Sequence, residues 1–230
     1  MSPRDFRPSL RKILHILTVG VPSVAMMSIG SVMTFLLNKI LFSLEKVGET
    51  AATILGIYFK LQSFIFMPVF GLNNGVIPVV AYNYGAGNRE RVVKAIKTSA
   101  VIALCIMTVG VMIFQTIPDV LLKMFDASET MLFIGVPALR VISLSFIFAA
   151  IGIAFSSAFQ ALGYATYSMM MSVARQLLVL LPVAYLLSLS GEVRLVWFAF
   201  PIAEVASFVV CIFFMIRLNK KVISKIGEKE

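Results

Sequence analysis

Four charged residues deep inside the apolar stretches of this chain are not explained by membrane topology, and they are the residues best suited to chemistry within a membrane. They are Lys60, Arg140, Arg175 and Glu204. A charge at the centre of a bilayer costs about 2.5–3.5 kcal/mol on insertion scales, so such side chains are expected to face protein or water. Glu204 is the only carboxylate within any apolar stretch. It is therefore the only acidic candidate within this chain for carrying a proton or a cation.

Lys60 and Arg175 are the obvious partners for Glu204, whereas Arg140 is expected nearer the membrane surface. Two interpretations stay open: a structural ion pair that fixes helix register, or a group that handles substrate or protons. Gln62 completes the set of intramembrane polar candidates, which is Lys60, Gln62, Arg175 and Glu204. Further amides at Asn73, Asn74 and Gln160 could extend a polar path, although amides also bond across helices without any other role.

Six apolar stretches must position these residues. A helix needs about 20 apolar residues to cross the hydrocarbon, and only helices or closed barrels satisfy the backbone in lipid. The runs are continuous and do not alternate with a period of two, so the sequence predicts an all-α integral membrane protein. The predicted spans are 13–42, 51–80, 92–117, 131–160, 166–188 and 194–218, within a bundle at 1–218 that is followed by a basic tail at 219–230.

The bulk composition agrees with a membrane protein. The 230 residues are 60% hydrophobic and 13% charged, with a mean hydropathy of +0.96, whereas a soluble domain is nearer half apolar and a quarter charged. The formal net charge of +9 comes largely from segments that flank the spans, where anionic headgroups attract them. The predicted partner of these bases is the lipid bilayer and not nucleic acid.

The connections between the spans alternate in their content of Lys and Arg. One set of segments is rich in them (Arg4, Arg7, Arg11, Lys12; Arg89, Arg91, Lys94, Lys97; Arg217, Lys220, Lys221, Lys225, Lys229), whereas the other set carries Lys46, Lys123 and Arg194. Basic connections stay in the cytoplasm. We therefore expect a multi-pass protein of the plasma membrane or bacterial inner membrane, with both termini cytoplasmic.

The sequence carries no pattern typical of an enzyme. It contains no phosphate-binding loop, nucleophile elbow, dinucleotide fingerprint or metal-spaced set of His and Cys. The two cysteines, Cys105 and Cys211, both fall in apolar spans and are expected to pack as small hydrophobes. We predict no catalytic residue, metal or cofactor.

Prolines occur inside every predicted span except the third. They are Pro22, Pro68, Pro78, Pro137, Pro182 and Pro201. Each removes a backbone donor and tends to kink its helix. These kinks are either static packing features or hinges of a protein that bends as it works, and the sequence leaves both interpretations open.

The second span ends in the most specific motif of the chain, Tyr82-Asn-Tyr-Gly-Ala-Gly-Asn88, followed by a basic helix start. Gly85 and Gly87 allow a positive φ, and asparagines cap such turns. With the preceding glycines and prolines, the motif resembles the second half of multidrug and toxic compound extrusion (MATE) transporters. The matching positions counted as a hinge and loop element, and not as a substrate site, are Pro22, Gly71, Pro78, Tyr82, Asn83, Gly85, Asn88 and Arg91.

The resemblance implies that this chain is one lobe of a larger transporter. Members of the family have twelve helices in two six-helix lobes around a central cavity, and this chain resembles the second lobe. It would need a second six-helix lobe, either an N-terminal half or another copy. The expected activity is antiport of organic, often cationic, small molecules against H⁺ or Na⁺.

The resemblance leaves the coupling ion open. Sodium-coupled members hold acidic side chains on the first and fourth helices of this lobe, whereas here the first offers Ser28, Gly30 and Ser31 and the fourth offers no Asp or Glu. Glu204 is thus a candidate on physical grounds alone. Two alternatives remain: a lobe of a flippase for lipid-linked polysaccharides, in which Lys60, Arg140 and Arg175 would bind pyrophosphate, and a fragment that does not transport.

Overall fold

The computed structural model describes residues 9–44 and 47–227. Arg4, Arg7, Lys46 and Lys229 of the predicted topology lie outside these residues. The backbone of Pro22 lies in the first helix, and its side chain is outside the described part.

The described residues form helices and no strand, as predicted. The helices are α1 (Leu10–Phe42), α2 (Gly48–Gly85), α3 (Arg89–Thr116), α4 (Pro118–Lys123), α5 (Glu129–Ser143), α6 (Phe146–Ala161), α7 (Ala165–Val173), a π-helical segment (Ala174–Leu180), α8 (Leu181–Ser188), α9 (Val193–Val196), α10 (Ala199–Lys221) and a 3₁₀ turn (Ile223–Lys225). Helix α10 therefore continues into the segment predicted as a tail.

Five spans of the described chain are long and apolar enough to cross a membrane. Four are single spans, Gly48–Gly85, Arg89–Thr116, Ala165–Ser188 and Val193–Lys225, the last of which includes the short turn between α9 and α10. The fifth is the pair α5 and α6, which is bent by 46°. Helix α1 is 33 residues long and contributes a shorter apolar stretch, Ser28–Phe42. The fold is that of a multi-span helical membrane lobe.

The span predicted as one helix at 131–160 is broken between α5 and α6. Ser143 and Ser145 turn their hydroxyls back onto the carbonyls of Arg140 and Ile142, at 2.9 and 2.6 Å. Gln115 of α3 donates a second hydrogen bond to the Arg140 carbonyl at 2.8 Å. Side chains that donate hydrogen bonds to backbone carbonyls within a helix tend to bend it. These hydrogen bonds therefore account for the break between α5 and α6.

Two apolar clusters hold the bundle together. The larger is built around buried aromatic residues, Tyr58, Phe66, Phe114, Phe146 and Trp197. The smaller lies at the other end of the helices and includes Val80, Ile96, Phe159, Cys211 and Ile223. Helix α2 contributes Phe66 and Val69 to the first cluster and Val80 to the second, and the amides Asn73 and Asn74 lie between these positions.

Close backbone approach at one turn requires glycine. A Cβ on Gly48 would lie 2.7 Å from the carbonyl oxygen of Leu41, too close for any other residue without movement of α1. By contrast, a Cβ at Gly71 or Gly75 would meet no described atom within 4 Å, so neither position requires glycine for close packing within the described chain.

Candidate functional site

The guanidinium of Arg175 and the carboxylate of Glu204 form an ion pair between two spans. Arg175 Nη1 lies 3.1 Å from Glu204 Oε2 and 3.4 Å from Oε1. The side chain of Glu204 is 12% exposed and that of Arg175 is 34% exposed. Each charge is compensated, which reduces the cost of placing it at membrane depth.

A π-helical turn presents Arg175. It is the second residue of the segment Ala174–Leu180, which is followed by Pro182. Proline lacks an N–H and its ring crowds the carbonyl four residues earlier, and a wider turn accommodates both effects. Such turns are rare and often occur at functional sites.

Two cavities adjoin the ion pair. The first, called here the Asn73 cavity, has a volume of about 270 Å³. Its polar lining includes Asn73, Asn74, Ser156, Ser157, Gln160 and Ser207. The second, called here the Gln62 cavity, has a volume of about 180 Å³ and is lined in part by Tyr58, Gln62, Ser145 and Gln176.

Arg175 and Glu204 line both cavities. Along α2 the two linings are separate. The residues that line the Gln62 cavity are Tyr58, Phe59, Gln62 and Phe66, and those that line the Asn73 cavity are Phe70, Asn73, Asn74 and Ile77. The cavities are therefore stacked along the helices, and the ion pair lies at their shared boundary. This arrangement can keep two water-accessible spaces apart while the pair is closed.

The Asn73 cavity also holds an unsatisfied polar atom. Asn73 Nδ2 donates to the carbonyl of Ile153 at 3.3 Å, whereas its Oδ1 is buried and accepts no hydrogen bond from the described residues. A buried acceptor without a donor is costly. It can accept a hydrogen bond from water or from a ligand in this space.

Lys60 lies away from this site, so the expectation that it partners Glu204 is wrong. It is exposed, and its Nζ lies 5.8 Å from the centroid of the Phe125 ring. Two residues along a helix turn the side chain by about 200°. Gln62 therefore faces the cavity while Lys60 faces away.

Arg140 is likewise exposed and lines neither cavity. Its backbone carbonyl, and not its guanidinium, is the group that contributes to the structure, through the bonds at the break after α5. Of the three intramembrane bases, only Arg175 lines these cavities.

The motif after α2 forms a helix end. Asn88 N–H donates to the carbonyl of Asn83 at 2.9 Å, and Gly87 N–H donates to that of Tyr84 at 3.1 Å, the pattern of a Schellman cap. Gly87 has φ +69°. The expectation of a positive φ at Gly85 is wrong, because Gly85 is the last residue of α2.

The other residues of the hinge and loop element either form hydrogen bonds at the helix ends or are exposed. Asn83 is buried and its Nδ2 donates to the carbonyl of Val79 at 2.8 Å, and Asn88 caps α3 by accepting from the backbone N–H of Arg91 at 3.1 Å. Gly71, Pro78, Tyr82 and Arg91 are exposed. None of the motif residues from Tyr82 to Arg91 lines the two cavities.

Sequence reasoning missed several cavity residues: Tyr58, Ser207 and Gln176. Ser207 is three residues after Glu204, and three residues place two side chains on one helix face. That spacing could have identified it. In the part of the chain that the structure describes, no group of three or more His, Cys, Asp or Glu residues is placed to hold a metal ion.

Comparisons with known proteins agree with this architecture. The family model described as MatE matches residues 22–186. The Multidrug export protein MepA of Staphylococcus haemolyticus (strain JCSC1435) is 26% identical over 216 residues, which are 94% of this chain and 46% of that protein. The chain thus spans about half the length of the curated relatives it matches.

Solved structures show the same fold. A MOP superfamily transporter from Pyrococcus furiosus is 24% identical with a TM-score of 0.85, and the match covers 100% of this chain and 50% of that one. A structure described as MATE in the bent conformation is 22% identical with a TM-score of 0.86, over the same shares of the two chains. In both cases this chain corresponds to one half of the larger protein.

Proposed function

Since the chain belongs to the MatE family of membrane transport proteins, we propose that it is one lobe of a secondary active exporter of small organic, mainly cationic, compounds. The export is driven by an inward flow of H⁺ or Na⁺. The relatives named as multidrug export proteins support this proposal. The lobe lies in the plasma membrane or bacterial inner membrane with both termini in the cytoplasm, in accord with its basic segments.

The observation that carries the proposal is the ion pair at the boundary of the two cavities. A pair that served stability alone could be replaced by well-packed apolar residues at little cost, and it would not need a space on either side. Here Arg175 and Glu204 are the residues common to both cavities. Opening and closing of this contact would connect or separate them.

The same pair offers a route to antiport. With Glu204 ionised, the pair is neutral; a proton or cation bound at Glu204 leaves Arg175 without its counter-charge. A cationic substrate and the coupling ion would then compete for one carboxylate, so that binding of either displaces the other. Competition of this kind couples two opposite movements, provided that the site is exposed alternately to the two sides.

A second lobe is required for alternate exposure. Transporters of this architecture place their sites between two related halves, and a single lobe lacks the facing wall. We propose that the partner is an N-terminal half of the same protein or another six-helix chain, since the relatives are about twice as long as the matched region.

The flippase alternative receives less support. It needs a broadly basic cavity, but Lys60 and Arg140 line neither cavity, and Arg175 is paired with Glu204. The third interpretation, a fragment that does not transport, is an outcome of the functional test.

That test is efflux of a fluorescent organic cation from cells that lack their own drug exporters and express this chain with its second lobe. The variant Glu204→Gln removes the charge with little change in shape, and Glu192→Gln removes an exposed carboxylate as a matched control. We expect efflux at background level for the first and at wild-type level for the second. Wild-type efflux by Glu204→Gln at equal abundance would remove Glu204 from the mechanism, and no efflux by the wild type would favour a fragment that does not transport.

A further inference from the structure

A groove separates α3 from α10 at the end of the lobe where the chain turns from α2 into α3. Both helices pack against α6, and the space between them is a cavity of about 420 Å³. It shares no lining residue with the two cavities that adjoin Arg175. Its lining combines bases and apolar side chains, among them Arg89, Val93, Lys97, Phe155, Ile216 and Asn219.

Helical spacing produces this mixed lining. Arg89, Val93 and Lys97 follow one another at intervals of four residues and therefore form one stripe of α3. The two bases are separated by about 12 Å along the helix, and an apolar side chain lies between them. On the opposite wall, Ile216 and Asn219 are three residues apart on α10 and repeat the alternation of apolar and polar groups.

The two bases are available to a ligand. Among the residues with described positions, neither Arg89 nor Lys97 is in an ion pair, and both side chains are exposed. No carboxylate lines the groove within that part of the chain. Glu90 lines an adjacent surface cavity, to which Arg89 and Lys97 also contribute, and in the described chain it forms no ion pair with either base.

We propose that this groove binds one anionic phospholipid of the inner leaflet. The phosphate lies between the guanidinium of Arg89 and the ammonium of Lys97, whose long side chain reaches back to the headgroup level. The Asn219 amide donates to an ester or glycerol oxygen, and one acyl chain covers Val93, Phe155 and Ile216. Basic pockets between transmembrane helices on the cytoplasmic side are suited to such headgroups.

The apolar half of the lining favours a lipid over free phosphate. A free phosphate would satisfy the bases and leave Val93, Phe155 and Ile216 without an apolar partner, whereas an acyl chain held by the same headgroup packs against all three. The bound lipid would bridge α3 and α10. The inference does not depend on whether the lobe transports drugs.

Native mass spectrometry of the detergent-purified full chain tests the site, with phosphatidylglycerol and phosphatidylcholine added in turn. We expect the wild type to retain one phosphatidylglycerol molecule and to retain phosphatidylcholine several-fold less. The double variant Arg89→Gln/Lys97→Gln should lose most of this retention. The double variant Arg91→Gln/Lys94→Gln removes the same charge from α3 outside the groove and should keep it.

A second variant separates the lipid from a charge effect. Ile216→Trp keeps every charge and fills the apolar part of the groove, so it should reduce retention of phosphatidylglycerol. Inorganic phosphate at millimolar concentration should not displace the lipid. Equal retention by both double variants, no effect of Ile216→Trp, or displacement by inorganic phosphate would each overturn the proposal.

Discussion

Arg175 and Glu204 are 29 residues apart in the chain, and their side chains meet at 3.1 Å where one polar cavity ends and the next begins. An ion pair in this position can stabilise the fold, take part in transport, or do both. The contribution of the pair to stability and its contribution to transport can be measured independently.

The first prediction therefore concerns the pair as a unit. Arg175→Met should destabilise the protein by less than the roughly 3–5 kcal/mol typical of a broken buried pair, because a third of the Arg175 side chain is exposed. The double variant Arg175→Met/Glu204→Leu should regain most of the thermal stability in detergent and still lack efflux. Efflux by the folded double variant would mean that the pair is structural only.

The second prediction concerns the volume of the Asn73 cavity. Gly152 lines this cavity, and a Cβ added there would meet no atom within 4 Å. Gly152→Ala should therefore transport as the wild type does, whereas Gly152→Phe should fill the space and block efflux at unchanged abundance. Full efflux by Gly152→Phe would show that substrate and ions do not pass through this cavity.

Lys60 and Arg140 provide the third prediction. Both are exposed and line neither cavity, so Lys60→Gln and Arg140→Gln should leave the efflux rate close to that of the wild type. A loss as large as that of Glu204→Gln would indicate a basic substrate path, as the flippase interpretation requires.

The fourth prediction concerns the turn between α2 and α3. Gly87 has φ +69°, and an L-residue in this region costs about 1–2 kcal/mol. Gly87→Ala should lower the unfolding temperature, whereas Gly85→Ala, at a helical position with open space around its Cβ, should leave it unchanged or slightly raised. The reverse order of the two variants would contradict the assigned cap.

The fifth prediction concerns orientation. In a background in which the exposed native cysteine, Cys105, is replaced by serine, a cysteine at Arg91 should react with a membrane-impermeant thiol reagent only in permeabilised cells. A cysteine at Leu189, which is exposed near the turn at Gly191, should react in intact cells. Labelling of position 91 from outside would invert the topology.

The fold was predictable because its main determinants are local. The length of each apolar run identifies a span, and Asn88 and Ser128 cap α3 and α5 as side chains of their type do. The break after α5 was not predictable, since part of it depends on Gln115 from another helix. A contact between distant segments leaves no pattern in either one alone.

The candidate site was predictable only in part, for the same reason. Rare polar residues in apolar runs indicated Gln62, Arg175 and Glu204, which all line the Gln62 cavity. The choice between Lys60 and Arg175 as partner depended on helix rotation and packing, and neither can be read from the residue types. The two stacked cavities follow from the assembled bundle.

The π-helical turn at Ala174–Leu180 carries Arg175, so the position of the guanidinium depends on the geometry of this turn. A π turn contains one residue more than an α turn, so its return to α geometry would rotate one half of the span against the other by about 100°. Such a rotation would swing the guanidinium of Arg175 away from Glu204. A change of register in this span would therefore break the contact with Glu204 on α10.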